Sequence, residues 1–228
     1  MHFHVPKPLH GWREFAGEVG IIVVGVLIAL AAEQVVEGFH WRRVVASERD
    51  ALHEAIQAET EEPAGRLVQE VCIRRRLGEL LKVFQRHAQQ QPLGMLGGVG
   101  VPGVVGSATG AWQTAGGDEV LDHMRLDERL DLGGSFAAFA VMRESLASEA
   151  HAWDELQRLD HPEILEDGDW VQIRAAYADA LAWDDRNVFY ARWLIDHEAG
   201  GRMPTSVSLA QLQVKGSVRT LCEPLLRK

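Results

Sequence analysis

Apolar and polar positions divide this chain unevenly. Val19 to Ala32 (VGIIVVGVLIALAA) carries no charged or hydrogen-bonding side chain. Beyond it, apolar residues recur at helical rather than alternating spacing. Val45, Leu52 and Ile56 are set among Glu, Arg and Asp, and no breaker stands before Pro63. Pro63 suits the first turn of a new helix, which runs to about Gln90 with Leu67, Val71, Leu77, Leu80, Leu81 and Phe84 on its apolar side. A further helix is expected over Leu126 to Leu159, with Gly133-Gly134 as a possible break. Asp160-His161-Pro162 forms a turn, and Asp167-Gly168-Asp169 leads a long aromatic helix to about Ala199. Gly200-Gly201 ends that helix. Thr205 or Ser206 caps a last one, which runs through Leu209 and Leu221 and stops before Pro224. The pattern predicts an all-α protein: an N-terminal transmembrane helix continuing into a helical bundle with a Gly-rich loop. Its parts are a tail (1–14), an anchor (15–41), a stalk and helical hairpin (42–90), the loop (91–117) and a helical domain (118–228).

The anchor rests on length and flanks. Fourteen helical residues reach about 21 Å, less than the roughly 30 Å hydrocarbon core. Phe15 to Gly17 and Val35 to Phe39 extend the run on either side. Trp12 and Trp41 stand outside it, about 43 Å apart on a continuous helix, which matches a bilayer with its interfacial layers. Trp12, Arg13, Trp41, Arg42 and Arg43 are therefore expected to anchor at the two interfaces. Two other fates remain open for the same segment. Ala29-Leu30-Ala31 before Ala32 has the small-x-small form of a signal-peptidase site, giving a soluble periplasmic protein, although Glu14 and Glu18 occupy the place of a basic n-region. The segment could also be the buried helix of a soluble fold.

At 100° per residue, Glu14, Glu18, Ile22, Gly25, Ala29, Ala32 and Val36 fall on one face, while Val23, Val24, Leu27, Leu30 and Ala31 point elsewhere. Small residues let helices approach closely in lipid, and a carboxylate at the membrane edge needs water or a partner. The stripe from Glu18 to Val36 is thus a candidate packing face for a second copy or another subunit. The plainer reading makes Glu18 and Glu33 headgroup markers. Lys7 and Arg13 before the anchor nearly balance Arg42, Arg43 and Arg49 after it. A long C-terminal domain can cross regardless of charge, which favours a cytoplasmic N-terminus and a periplasmic bulk.

The stretch Pro6-Lys7-Pro8-Leu9-His10-Gly11-Trp12-Arg13-Glu14-Phe15, continuing through Gly17-Glu18-Val19-Gly20-Ile21-Ile22 and Gly25-Val26-Leu27-Ile28-Ala29-Leu30, resembles a family of uncharacterised bacterial membrane proteins. Its members share a Gly-Glu-(apolar)-Gly-(apolar)-Ile-Ala-Leu anchor and a helical remainder. The likeness is specific over residues 1–45 and looser through Thr109, Trp112 and Ala115. The resemblance implies a single-pass protein of the bacterial inner membrane. The family has no assigned activity, so it lends no catalytic residue.

Composition removes several functions. Twenty-three Lys and Arg against 33 Asp and Glu leave a net charge of −10, which opposes general nucleic-acid binding. Two cysteines exclude a disulfide framework and a four-cysteine zinc site. Cys72 and Cys222 either pair in an oxidising compartment or stay as lone thiols. Gly98-x-Gly100-x-x-Gly103 has the letters of a dinucleotide fingerprint but lacks the strand before it and the helix after it. Gly106-Ser107-Ala108-Thr109-Gly110 fails the nucleophile-elbow spacing, and Ser107 or Thr109 reads better as the cap of a helix near Ala111. Among ten histidines no His-Glu-x-x-His occurs, and the nearest spacing is a single Asp50-x-x-His53. Arg74-Arg75-Arg76 reads as a solvated face paired to Glu70 and Glu79 rather than a phosphate site. No catalytic, cofactor or metal residue is assigned. The sequence favours a membrane-anchored binding or scaffold protein that meets itself or another membrane or periplasmic protein. The alternative is a sensor or enzyme with a pocket between the aromatic helix and the Gly-rich loop.

Overall fold

The structure, a computed structural model, describes residues 11–104, 118–214 and 216–226; the side chains of Glu14 and Asp118 are outside the description. Ser107, Thr109 and the helix start near Ala111 also lie outside the described residues. Helix α1 spans Trp12–Glu59, α2 Glu61–Ala88, α3 Asp118–His123, α4 Leu126–Leu156, α5 Asp167–Glu198, α6 Leu209–Leu212 and α7 Gly216–Cys222. Two 3₁₀ turns, Gln157–Asp160 and Pro162–Ile164, join α4 to α5. Among the described residues there is no strand, only an isolated antiparallel bridge between Leu96 and Leu226. The protein is all-α, with a long apolar N-terminal helix leading into a helical bundle.

The chain forms two units. In the first, residues up to Arg49 of α1 stand with α3, and Trp41 stacks on His123 with ring centroids 3.9 Å apart. From residue 17 to residue 40 every position of α1 is exposed.

The second unit holds Asp50–Glu59, α2 and everything from α4 onward. No reversing turn divides α1 from α2. Thr60 keeps near-helical angles (φ −67°, ψ −13°), and its hydroxyl donates to the Gln57 carbonyl at 2.6 Å. Pro63 is accommodated because the first N–H groups of a helix have no internal partner; Ala64 N–H already reaches the Thr60 carbonyl. A hairpin at this point is therefore not formed.

Helices α2, α4 and α5 enclose Ile73, Leu80, Trp153, Leu156 and Ile173, all fully buried. Phe84 of α2 meets Tyr177 of α5 edge-on at 5.2 Å, and His87 stacks on Trp170 at 3.7 Å. Helix α4 passes Gly133-Gly134 without a break. Helix α5 opens on a reciprocal cap. Glu166 accepts from the Asp169 backbone, and Asp169 accepts from Glu166 N–H at 2.8 Å. The final helix is two short ones, and Ser208 rather than Thr205 or Ser206 caps the first. Ser206 instead donates to Glu61 at 2.6 Å.

Residues 93–103 lie against α2 and the C-terminal segment. Gly100 requires glycine: its φ is +65°, and a Cβ there would stand 2.3 Å from the Leu221 backbone nitrogen.

Candidate functional site

Three features stand out: the bare helix, a buried ionic cluster and a C-terminal clamp.

On α1 the candidate packing residues Glu18, Ile22, Gly25, Ala29, Ala32 and Val36 are all exposed, and Glu14's side chain is outside the description. A Cβ added at Gly17, Gly20 or Gly25 would meet nothing within 4 Å. Of the expected interfacial residues, Trp12 is 79% exposed, and Arg13, Arg42 and Arg43 are exposed. Trp41 departs from a free interfacial ring: it is half-buried on His123. The Arg42 guanidinium lies 5.9 Å from the Phe39 ring centroid. A shallow groove of about 530 Å³ runs along Ala31, Gln34, Val35, Gly38, Phe39 and Arg42. By the 100° step, those residues centre about 130° around the helix from the Glu18–Val36 stripe, with Phe39 next to its edge.

The ionic cluster is the polar heart of the bundle. Arg66 of α2 is 2% exposed and forks onto Glu149 of α4, Nε to Oε2 and Nη2 to Oε1, both at 3.1 Å. Its Nη2 also bonds Asp184 of α5. Glu149 further accepts from Asn187 Nδ2 at 2.6 Å and from Trp153 Nε1 at 3.4 Å. Arg74 reaches the other Asp184 oxygen at 3.4 Å. Ion pairs taken from water gain little net stability, but stripping one partner leaves a costly bare charge. The cluster joins α2, α4 and α5 through Arg66, Glu149 and Asp184. Beside it, Arg143 donates to Glu59 at 2.7 Å and lies 4.0 Å from Glu62. Burial raises the Glu62 carboxyl to about 7, against the lowering effect of Arg143 and with a further rise from Glu59.

The sequence reading missed this cluster, although a signal existed. Glu62, Arg66 and Gln69 interrupt the buried face of α2, Ser145 and Glu149 that of α4, and Asp184 and Asn187 that of α5. Polar residues in the register of a core stripe mark buried polar contacts.

The arginine run is resolved residue by residue. Arg74 is half exposed and pairs with Glu70 at 3.2 Å and Asp185 at 2.9 Å. Arg76 corrects the solvated-face reading, because it is fully buried. Its Nη2 donates to the carbonyls of Thr220 (2.7 Å), Leu221 (3.3 Å) and Glu223 (2.6 Å), and Arg75 donates to that of Cys222. These carbonyls belong to the last turn of α7 and to Glu223 just beyond it, and that of Thr220 also accepts from Glu223 N–H at 3.1 Å, so the two arginines cap the end of a helix distant in sequence. Cys72 and Cys222 are bonded in a disulfide spanning 150 residues, and the same clamp includes Glu79, which accepts from Leu225 N–H at 3.1 Å.

A groove of about 710 Å³ lies between α4 and α5, with Glu144, Glu155, Asp179 and Trp183 among its walls. None of the described residues of the Gly-rich loop, 91–104, lines it. Among the described residues, no group of three or more His, Cys, Asp or Glu could hold a metal ion.

Compared with protein-family models, curated proteins and solved structures, the chain matches none of them.

Proposed function

We propose that the protein is a single-pass membrane-anchored binding protein: α1 holds it in a bilayer, and the bundle meets a second copy or another membrane or periplasmic protein. The carrying observation is the surface of α1. Ile21, Ile22, Leu27, Ile28, Val36 and Phe39 are 59–76% exposed, a display that water disfavours and hydrocarbon accepts. Phe15 to Phe39 reaches about 37 Å, enough to cross with tilt. A disulfide between Cys72 and Cys222 supports placing the bundle outside the reducing cytosol, hence an N-terminus in the cytoplasm of a bacterial cell and a periplasmic bundle.

Membranes from cells making the full chain provide the test. Under this reading the protein stays in the pellet through alkaline carbonate. Its intact mass includes Met1–Ala31, and external protease digests the bundle in spheroplasts. Release by carbonate, or a mature chain starting at Ala32, overturns it. A small-ligand sensor is the second reading, and the groove between α4 and α5 favours it. Its three wall carboxylates would select an organic cation, so a thermal-shift screen of amines on wild type and Asp179→Asn distinguishes the two.

A further inference from the structure

Arg66 is 2% exposed, and its Nε and Nη2 are engaged by Glu149 and Asp184. Its Nη1 has no partner. An unsatisfied buried donor is costly, and native interiors seldom leave one without a water. The residue borders a cavity of about 20 Å³, walled also by Glu62, Glu149, Pro102, Gly103 and Val104. That space holds about one water, which needs two to four polar neighbours. Arg66 and Glu62 provide a donor and a carboxyl.

We propose that this cavity is a hydrated proton-binding site, in which one water joins Arg66 Nη1 to the Glu62 carboxyl, and that loss of the Glu62 proton unlatches the Pro102–Val104 segment. The surroundings explain why the proton matters. Glu59 faces Glu62 from the end of α1, Arg66 from α2, and Arg143 and Glu149 from α4; Asp184 of α5 lies on the other side of Arg66. Arg143 is held by Glu59 at 2.7 Å, and Arg74 is engaged by Glu70, Asp184 and Asp185. A Glu62 carboxylate thus adds negative charge to a site whose cations already have partners, and it needs water to be tolerated. Two helix faces, Glu62 and Arg66 on α2 and Leu146, Glu149 and Ala150 on α4, form its regular walls. The irregular segment is fastened by Gln69, which accepts from Gly103 N–H at 2.7 Å and donates to its carbonyl at 2.9 Å. It is the wall that can move.

The direction of the pH effect follows. Burial lifts Glu62 from 4.5 to about 7, so the closed form holds a proton that the open form has lost. Closure is favoured fully below about pH 4.5, weakens as the pH rises through that window, and loses nothing further beyond about 7.

Hydrogen exchange of the purified full chain tests this. After division by the intrinsic rate, exchange at Gly103 and Val104 is expected to rise at least tenfold from pH 5.5 to 8. Glu62→Gln is expected to stay slow at both. In ¹³C-glutamate-labelled wild type, the Glu62 carboxyl should titrate with the same midpoint, and a long-lived water should cross-relax to the Gly103 amide at pH 5.5. A flat wild-type profile, an unchanged rise in Glu62→Gln, titration near 4.5, or absence of the water overturns the proposal. The wild-type measurements decide even if the variant fails to fold. None of them depends on whether α1 is an anchor.

Discussion

In the first unit, isoleucine, valine and leucine face outward along α1; in the second, the same residue types are sealed inside, along with arginine, glutamate and aspartate. Under the proposed anchoring, each arrangement answers its own surroundings. A helix in hydrocarbon satisfies its backbone internally and can show any apolar side chain outward. A water-facing bundle must hide its apolar residues, and it can hide charge only where each ion meets its complement. Outward apolarity in α1 therefore speaks of solvent, while inward charge in the bundle speaks of specificity.

Glu149→Ala probes the inward charge and carries the largest expected effect. It strips Arg66 of its bidentate partner and leaves Asn187 Nδ2 and Trp153 Nε1 without an acceptor. The expected loss is about 3–5 kcal/mol, read from denaturant midpoints at constant slope. A loss under about 1 kcal/mol would mean the cluster is hydrated and open. Leu27→Arg probes the outward apolarity. Leu27 is 59% exposed, and in water the change would be almost free. In a bilayer centre an arginine costs about 3 kcal/mol, so a glycosylation-reporter insertion assay should shift about a hundredfold toward the uninserted form. No shift would break the comparison at its root.

How much of this could be read from the sequence differs between the two regions for a physical reason. Helix α1 is recognisable from Val19 to Ala32 because an apolar run is a local property. The helical periods of α2, α4 and α5 are local in the same way, which is why the fold class was readable. The ionic cluster joins residues 83 and 118 positions apart, and only their register within apolar stripes hints at it. Arg74 and Arg76 stand two positions apart in sequence, yet one is half exposed and the other buried; which face turns inward depends on where α7 packs. Gly133-Gly134 looked like a break, but helix packing overrides a cost of about 1 kcal/mol per glycine. The Cys72–Cys222 pairing could not be chosen from sequence, because two cysteines alone leave the compartment open.

Removing that disulfide by Cys72→Ser with Cys222→Ser tests whether the clamp or the core dominates the C-terminal segment. Closing a loop of 150 residues stabilises by about 2–4 kcal/mol, chiefly by restricting the unfolded chain. Arg75, Arg76 and Glu79 still hold residues 220–225. The expected outcome is a lower unfolding midpoint with unchanged protection of the amides near Leu221. Selective fraying of that segment would instead make the cystine its principal fastening.

The smallest effect separates ion pairs that look alike on paper. Arg74 touches Glu70, Asp184 and Asp185, more carboxylates than Arg66 does, yet it is 51% exposed. Water screens those contacts and the long side chain loses freedom to make them, so Arg74→Ala is expected to cost under about 1 kcal/mol and less in 1 M salt. Arg76→Ala, next but one in sequence, should cost several times more and respond little to salt, because the carbonyls of Thr220 and Glu223 lose a buried donor. If the two variants proved equal, burial would not be what separates the arginines, and the contrast between hidden and displayed charge in this bundle would have to be redrawn around helix capping alone.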